Sequence, residues 1–143
     1  REAEVTHGRV AMLAVVGFLV GEKVEGSSFL FDSQITGPAI NHLAQIPVPF
    51  WAVLTAFIGA SELLRANIGW MEPDKALFTL RDGYTPGDIG FDPLGLKPSS
   101  AADLKEIQTK ELQNGRLAML ATAGFMAQEL VDGKGIIEHL QSS

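Results

Sequence analysis

The sequence has no cysteine, a shortage of positive charge and no recognisable catalytic set. Without cysteine the chain forms no disulfide, iron–sulfur cluster or thiolate metal site. It carries 11 Lys and Arg against 17 Asp and Glu, a net charge of -6, and no Lys/Arg-rich block, which disfavours nucleic acid as a partner. No Ser/His/Asp set, phosphate-binding loop or two-metal carboxylate cluster is present, so the sequence does not predict an enzyme.

The chain also lacks any uninterrupted run of 18 apolar residues, although 46% of its residues are hydrophobic and its mean hydropathy is +0.17. A membrane protein of this composition needs apolar surface from something other than its own side chains. The length of 143 residues predicts a single domain, 1–143. Because the first residue is Arg1, we expect a mature or trimmed chain whose targeting peptide is out of view.

Three stretches of the sequence have helical character, at about residues 1–24, 47–70 and 101–131. Pro47 and Pro49 suit a helix start, and Gly26 and Gly133 suit helix stops. A helix of 24 residues is about 36 Å long, enough to cross a hydrocarbon core of about 30 Å. The pattern predicts an all-α membrane protein with three transmembrane helices.

The two long connections differ in character. Residues 83–96 are dense in Pro and Gly, so they predict neither helix nor strand. They nevertheless include four aromatic or large apolar residues: Tyr84, Phe91, Leu94 and Leu96. A flexible linker does not need such residues, so we expect an ordered loop packed against an apolar partner. Residues 25–46 form the other connection, with an amphipathic turn near 40–43.

An internal repeat is the strongest signal in the sequence. The segment from Glu4 to Phe18 returns 107 residues later, from Glu111 to Phe125. At this offset the aligned residues are Glu4 with Glu111, His7 with Asn114, Arg9 with Arg116, and Glu22 with Glu129. The repeat predicts that the first and third helices form a crossed pseudo-two-fold pair, and that the second helix lies apart.

The spacing within each copy restricts how its charges pair. Glu and Arg are five residues apart, which is about 140° around a helix, so they are poor partners within one helix. Pairs between the two helices, Glu4 with Arg116 and Glu111 with Arg9, avoid this problem. An ionisable group inside a bilayer costs about 2.5–3.5 kcal/mol on insertion scales. We therefore predict two crossed, buried ion pairs.

Such pairs leave carboxylate lone pairs free for another role. His7 and Asn114 follow Glu4 and Glu111 by three residues and project about 60° away. Gln128 lies about 21 Å further along the third helix, near the face of Asn114. Carboxylate, amide and imidazole groups are competent axial ligands for a hard cation such as Mg²⁺. Because the donors are dispersed, one to a site, they suit a metal already held by a macrocycle.

Simpler interpretations exist for each residue taken alone. A repeated Glu–Arg pair can be a structural lock, His7 a satisfied polar residue, and Gln128 an interhelical hydrogen-bonding group. Their occurrence together, at matched offsets, favours the interpretation as ligands.

At these positions the sequence resembles the light-harvesting chlorophyll-binding family. The family signature Glu-x-x-His/Asn-x-Arg-x-Ala-Met stands twice, from Glu4 to Met12 and from Glu111 to Met119. The segment 86–96 is similar to the family's entry to its third helix, and 129–136 is similar to the family's segment after that helix. The short loops and the type of second helix resemble the red-lineage branch, whose members bind chlorophyll a, often chlorophyll c, and carotenoids such as fucoxanthin.

The resemblance implies a role for each matching residue. The implied ligands of chlorophyll magnesium are Glu4, His7, Glu62, Glu111, Asn114, Gln128 and His139. Arg9 and Arg116 neutralise the opposite glutamate. Two carotenoids lie beside the crossed helices, and the loop at Asp92, Pro93 and Leu94 holds one carotenoid end. Bound lipid is a further expectation.

The assignment of Glu62 has an alternative, and two further positions, His42 and Gly21, are also open to interpretation. Glu62 can instead pair with Arg65 three residues on. His42 suits either another interfacial ligand or a solvated loop residue. Gly21 stands where the repeat would match Gln128, which puts an equivalent ligand on the first helix in doubt.

The implied function is absorption of light and transfer of excitation to a core of photosystem I or II, beside other antenna subunits and thylakoid lipids in the chloroplast. One alternative is a family member that dissipates excitation. Another is a small membrane transporter with intramembrane Glu–Arg pairs, which would need polar residues across the whole membrane. The middle of each apolar run is nearly free of charge, which disfavours the transporter.

Overall fold

The computed structural model describes residues 1–25 and 35–142 and contains five helices in this part of the chain. They are α1 (Glu2–Val24), α2 (Ala39–Gln45), α3 (Val48–Gly69), α4 (Ala101–Asp132) and α5 (Ile136–Ser142). The three long helices begin and end within one residue of the predicted bounds. Helix α2 extends the turn predicted near 40–43, and α5 was not predicted. Gly26, the predicted stop of the first helix, lies outside the described residues.

Proline and glycine determine two of the helix ends. Pro47 is the N-cap of α3 with extended backbone, and Pro49 follows in the first turn, where a missing N–H costs nothing. Gly133 ends α4 in the left-handed conformation, with φ 66° and ψ 13°. Its N–H donates to the carbonyl of Glu129 at 2.9 Å, which satisfies one of the last free carbonyls of the helix.

Helices α1 and α4 cross in close contact, as the repeat predicted. Gly8 and Gly115 lie at the crossing, where a Cβ on either residue would come within 2.9 Å of the other's Cα. Further along, the rings of Phe18 and Phe125 meet edge to face with centroids 6.0 Å apart. Both contacts join residues related by the 107-residue offset, so the pseudo-two-fold axis passes between the two helices.

Helix α3 stands apart from the other helices. Among the described helices, none brings a Cα within 8 Å of α3. Its attachment runs through its last turns, where Arg65 donates to Glu2 at 2.8 Å and to Thr6 at 3.3 Å. Gly69 lies directly against the ring of Tyr84. Among the described residues, the hydrogen bonds that tie α3 to α1 therefore lie at the C-terminal end of α3.

The chain has little interior of its own. It exposes 10151 Å² at 15.3 kDa, whereas a compact soluble protein of that mass exposes roughly 7,100 Å². Large apolar residues stand exposed on all three long helices, with Leu13 at 74%, Val53 at 72% and Leu120 at 74%. This surface needs an apolar environment that the chain itself does not supply.

Two of the helices are long and apolar enough to cross a membrane. They are α1 and α3, and none of the apolar stretch of α3 is buried inside the chain. Helix α4 is not among them, and its N-terminal half carries several charged residues, among them Asp103, Lys105 and Glu106. The structure thus supports two membrane spans by length and composition.

Candidate functional site

Two ion pairs join α1 and α4 on either side of the crossing. Arg9 Nε donates to Glu111 Oε1 at 2.8 Å, and Arg116 Nε donates to Glu4 Oε1 at 2.6 Å. The partner choice predicted from the helical geometry is confirmed. Each arginine engages one carboxylate oxygen. The second oxygen of each glutamate accepts no hydrogen bond from the described residues, so its lone pairs are free.

The prediction that these pairs are buried is wrong for the chain by itself. The Arg9 and Glu111 side chains are 41% and 32% exposed, and those of Arg116 and Glu4 are 57% and 34% exposed. The pairs flank the crossing rather than lie within it, because the Gly8–Gly115 contact brings the backbones too close for a side chain to pass between them. Any shielding of the pairs must come from molecules around the helices.

His7 and Asn114 have matching hydrogen bonds. His7 Nδ1 lies 2.7 Å from the Ala3 carbonyl, and Asn114 Nδ2 donates to the Lys110 carbonyl at 3.0 Å, in each case one turn earlier. Because a carbonyl only accepts, the proton of His7 sits on Nδ1, which leaves the lone pair on Nε2. In the same way Asn114 keeps Oδ1 as an acceptor. Both side chains are exposed, and each keeps one acceptor atom that the described residues do not engage.

A groove lined by residues of both α1 and α4 runs beside His7. It has a volume of about 430 Å³, and apart from Thr6, Thr122 and His7 its walls are apolar. Val10 and Ala14 of α1 face Met119 and Met126 of α4 across it. Its apolar walls and polar end suit a largely apolar ligand that carries one coordinating atom.

Glu62 repeats the arrangement of a carboxylate shared with an arginine. Arg65 donates to Glu62 Oε2 from both Nε and Nη2, at 3.1 and 2.6 Å. This is the i,i+3 pair weighed as the alternative to a ligand. The side chain of Glu62 is 50% exposed and its Oε1 is not engaged by the described residues. Pairing with Arg65 therefore leaves one oxygen available, as at Glu4 and Glu111.

Asp132, which was not predicted as a site residue, contacts both Gln128 and His139 at the end of α4. Gln128 Nε2 donates to Asp132 Oδ2, and His139 Nδ1 lies 2.9 Å from the same oxygen. The side chain of His139 is 40% exposed. The i,i+4 spacing of Gln128 and Asp132 was a signal for this contact, but nothing in the sequence pointed to His139 as the third member.

His42 is not the solvated loop residue that was one of its two alternatives. It is buried rather than solvated, and Nε2 lies 2.7 Å from the Gly37 carbonyl. Its ring packs beside Gly21, where a Cβ would lie 3.5 Å from Nδ1. The interpretation as a solvated loop residue is wrong, because Gly21 leaves space on α1 for the ring, and the interpretation as an interfacial ligand stays a prediction.

Glu2 organises the N-terminal end of α1 and was also missed. It is 5% exposed and accepts hydrogen bonds from Arg65 Nη1 (2.8 Å), the Tyr84 hydroxyl (3.1 Å) and the Gly87 N–H (2.8 Å). Desolvation, and then the negative charge of Glu2, raise the pKa of Tyr84 above its ordinary value. One carboxylate thus joins α1, α3 and the loop between α3 and α4.

In the loop around residues 83–96, the side chain of Asp92 accepts hydrogen bonds from the backbone. Its two oxygens accept the N–H groups of Leu96 and Lys97, each at 2.9 Å, and these bonds hold the pKa of Asp92 below its ordinary value. Phe91 and Leu94 are 80% and 77% exposed. The loop is ordered, as expected, and its apolar side chains face outward. That Asp92, Pro93 and Leu94 hold a carotenoid stays a prediction.

Each short helix is capped by a glutamate of a long helix: Glu22 of α1 caps α5, and Glu129 of α4 caps α2. Glu22 on α1 accepts from the N–H groups of Ile136 and Ile137 at the start of α5, at 2.7 Å each. Glu129 on α4 accepts from the Ile40 N–H at the start of α2, also at 2.7 Å. Carboxylates at helix N-termini accept hydrogen bonds from the free amides and interact favourably with the positive end of the helix dipole.

Comparison with known proteins identifies the family of the chain. Residues 1–130 match the family described as chlorophyll A-B binding protein. The chain belongs to this family. The family consists of chlorophyll-binding proteins rather than enzymes, in agreement with the sequence interpretation.

Individual relatives refine this assignment. The chain is 54% identical over 98% of its length to light-harvesting complex stress-related protein 1, chloroplastic, of Chlamydomonas reinhardtii. It is 53% identical over 93% of its length to a fucoxanthin-chlorophyll a-c binding protein of Isochrysis galbana, and 34% identical over 97% of its length to a chlorophyll a-b binding protein of Petunia hybrida. It spans 56%, 64% and 54% of those proteins. The predicted resemblance to the fucoxanthin type is confirmed, and the stress-related type is equally similar.

Proposed function

We propose that the chain is a membrane-embedded light-harvesting protein that binds chlorophylls and carotenoids and passes excitation to a photosystem core. The observation that carries this proposal is the pair of crossed Glu–Arg contacts, in which Glu4 and Glu111 each keep one oxygen free. A glutamate engaged by arginine is neutralised yet still able to bind a metal. That combination suits a chlorophyll magnesium, which needs one axial ligand and little added charge.

The other proposed ligands also keep an atom that can bind a metal. The side chains of His7 and Asn114 are oriented by hydrogen bonds to the preceding turn, so each offers one acceptor atom, Nε2 or Oδ1. The full set of proposed chlorophyll ligands is Glu4, His7, Glu62, Glu111, Asn114, Gln128 and His139. Arg9 and Arg116 balance the charge of the glutamates. When bound, the chlorophylls supply the light absorption, and the residues fix the distances and orientations between the rings.

Carotenoids are proposed for the flanks of the crossed pair. The apolar groove beside His7 supports one such site, and the outward-facing Phe91 and Leu94 of the loop support contact with a carotenoid end. The fucoxanthin-chlorophyll a-c binding relative supports chlorophyll a, chlorophyll c and a fucoxanthin-type carotenoid as the pigments.

We propose that all three long helices cross the thylakoid membrane of the chloroplast. Helix α4 has 32 residues and is about 48 Å long, well beyond a hydrocarbon core of about 30 Å. Its apolar half, residues 117–131, packs on α1 and so shares its depth, while its charged N-terminal half extends past the membrane. The chloroplastic relatives support this location.

A second candidate function is dissipation of excitation energy. The observation that favours it is the 54% identity, over 98% of the chain, to stress-related light-harvesting proteins. Antenna and dissipative members require the same ligands and differ in how long the excited state survives. The geometry of the ligands alone does not separate them.

The absorption spectrum of the purified protein tests pigment binding. Red and Soret bands of bound chlorophyll, with carotenoid absorption between them, support the proposal, and a colourless folded protein overturns it. Chlorophyll fluorescence lifetime in reconstituted liposomes then separates the two candidates. A lifetime of nanoseconds at both neutral and acidic pH supports the antenna, and a lifetime shortened several-fold supports dissipation.

A further inference from the structure

A second, shorter repeat relates the two helices at the far end of the crossed pair. The residues Ile40-Asn41-His42-Leu43 of α2 match Ile137-Glu138-His139-Leu140 of α5, at an offset of 97. The glutamates that cap these helices, Glu129 and Glu22, are themselves equivalent in the first repeat. The pseudo-two-fold axis therefore relates α2 to α5 as well as α1 to α4.

This symmetry makes His42 and His139 equivalent residues, yet they differ in orientation. The side chain of His42 is 11% exposed and that of His139 is 40% exposed. The residue equivalent to Gly21, against which His42 packs, is Gln128. Gly21 has no side chain to keep the ring of His42 away from α1, whereas Gln128 has a long side chain at the equivalent position of α4.

The two histidines also have different carboxylate partners. Asp132 is the equivalent of Glu25, whose Oε2 lies 3.7 Å from His42 Nε2, too far for a hydrogen bond. Asp132 Oδ2 instead lies 2.9 Å from His139 Nδ1 and also accepts from Gln128 Nε2. At the α4 end one carboxylate oxygen therefore binds both candidate ligands.

A carboxylate fixes the orientation of both groups because it only accepts hydrogen bonds. Gln128 must turn its amide nitrogen toward Asp132, which directs the carbonyl oxygen the other way. His139 must carry its proton on Nδ1, which puts the ring lone pair on Nε2. Carboxylate–imidazole contacts of this kind orient metal-ligating histidines in general.

We propose that Asp132 is a positioning residue shared by two chlorophyll ligands, Gln128 and His139. It touches neither magnesium and acts only through the two side chains. Loss of Asp132 therefore weakens two chlorophyll sites at once, whereas loss of either ligand weakens one. This inference rests on the proposed function.

The test compares chlorophyll stoichiometry in the pigment-bound protein, purified from membranes or reconstituted with chlorophyll and carotenoid. We expect Gln128→Leu and His139→Leu to lose one chlorophyll each and Asp132→Leu to lose two. Asp132→Asn keeps one acceptor oxygen and should fall between. Glu138→Gln is the control, since it removes the same charge from an exposed position on α5.

A purely structural role for Asp132 predicts a different pattern. The ¹⁵N shifts of the His139 ring in the pigment-bound protein report which nitrogen carries the proton, and we expect Asp132→Asn to change them. Loss of one chlorophyll or none in Asp132→Leu, or unchanged ring shifts, overturns the inference. A wild-type protein without chlorophyll overturns the proposed function instead, and with it this inference.

Discussion

Gly8 of α1 and Gly115 of α4 meet backbone to backbone at the point where the two helices cross. A Cβ added to either residue would lie 2.9 Å from the other's Cα, closer than atoms of this kind approach. The two residues are equivalent in the internal repeat, so the contact lies on the pseudo-two-fold axis. This close approach also sets the separation over which Arg9 and Arg116 reach their partners.

Gly115→Val should push the helices apart and weaken both cross-helix ion pairs. Overpacking of this kind costs about 1–3 kcal/mol, and rigid backbone on both sides leaves little room to relax. Thermal unfolding of the pigment-bound protein, followed by visible circular dichroism, measures the effect. Gly124→Val is the matched control, because nothing lies within 4 Å of a Cβ at that position of the same helix. Equal melting of the two variants would contradict the prediction.

Glu111→Ala should remove one chlorophyll and destabilise the fold, because Arg9 loses its partner. The pair is partly exposed, so we expect a cost between the roughly 0–1 kcal/mol of an exposed pair and the roughly 3–5 kcal/mol of a buried one. Pigment stoichiometry and the melting curve check both effects. Glu106→Ala is the control, since its bridge to Lys110 stays within α4. An unchanged pigment count in Glu111→Ala would speak against the ligand role.

The long helices and the crossed charges were predictable because the signals were strong or repeated. The 107-residue offset related Glu4 to Glu111 and Arg9 to Arg116, and the 140° separation within each copy left only the crossed partners. What the repeat could not predict was exposure. Burial of these pairs depends on what surrounds α1 and α4, and the chain alone supplies too few neighbours.

The two short helices, and the contacts that the sequence did not predict, depend on residues that lie far apart in the sequence. A seven-residue helix is marginal by itself. Helix α5 starts where Glu22, 114 residues earlier, accepts the Ile136 N–H. Likewise, Glu2 gains its role only because the fold brings Arg65 and Tyr84 to it. Local pattern carries no information about such partners, which is why the burial of His42 was also not predicted.

Glu2→Gln should loosen α3 from α1. The amide keeps an acceptor but loses the charge that binds Arg65, and a hydrogen bond to a charged group contributes about 1.5–3 kcal/mol. We expect a lower melting temperature and partial loss of the chlorophyll proposed at Glu62, whose side chain shares Arg65. Glu72→Gln is the control, because the bridge that Glu72 makes within the described residues is to the nearby Lys75. Retention of full pigment and stability would show that α3 is held in another way.

The crossed caps predict a reciprocal effect on the two short helices. Glu22→Ala removes the acceptor for Ile136 and Ile137 and should speed hydrogen exchange at the start of α5. Glu129→Ala should do the same for Ile40 in α2. Loss of a cap costs about 0.5–2 kcal/mol, so local exchange should rise by roughly two- to thirty-fold. Each variant is the control for the other, and equal changes in both helices would contradict the crossed arrangement.

Acid should open the loop between α3 and α4 only below the ordinary range of aspartate. Asp88 accepts from Lys97 Nζ at 2.5 Å and from the Gly90 N–H at 3.1 Å, and these contacts lower its pKa, as the Leu96 and Lys97 amides lower that of Asp92. A carboxylate with a lowered folded-state pKa stabilises the fold fully above its unfolded value.

That contribution is lost as the pH falls through the lower folded-state pKa. We therefore expect hydrogen exchange at Gly90 and Leu96, corrected for the intrinsic pH dependence of exchange, to stay constant from neutral pH to about pH 4 and to rise below it. Asp92→Asn should raise exchange at Leu96 already at neutral pH and leave Gly90 protected by Asp88. A transition centred near pH 6 would show that other groups control the loop.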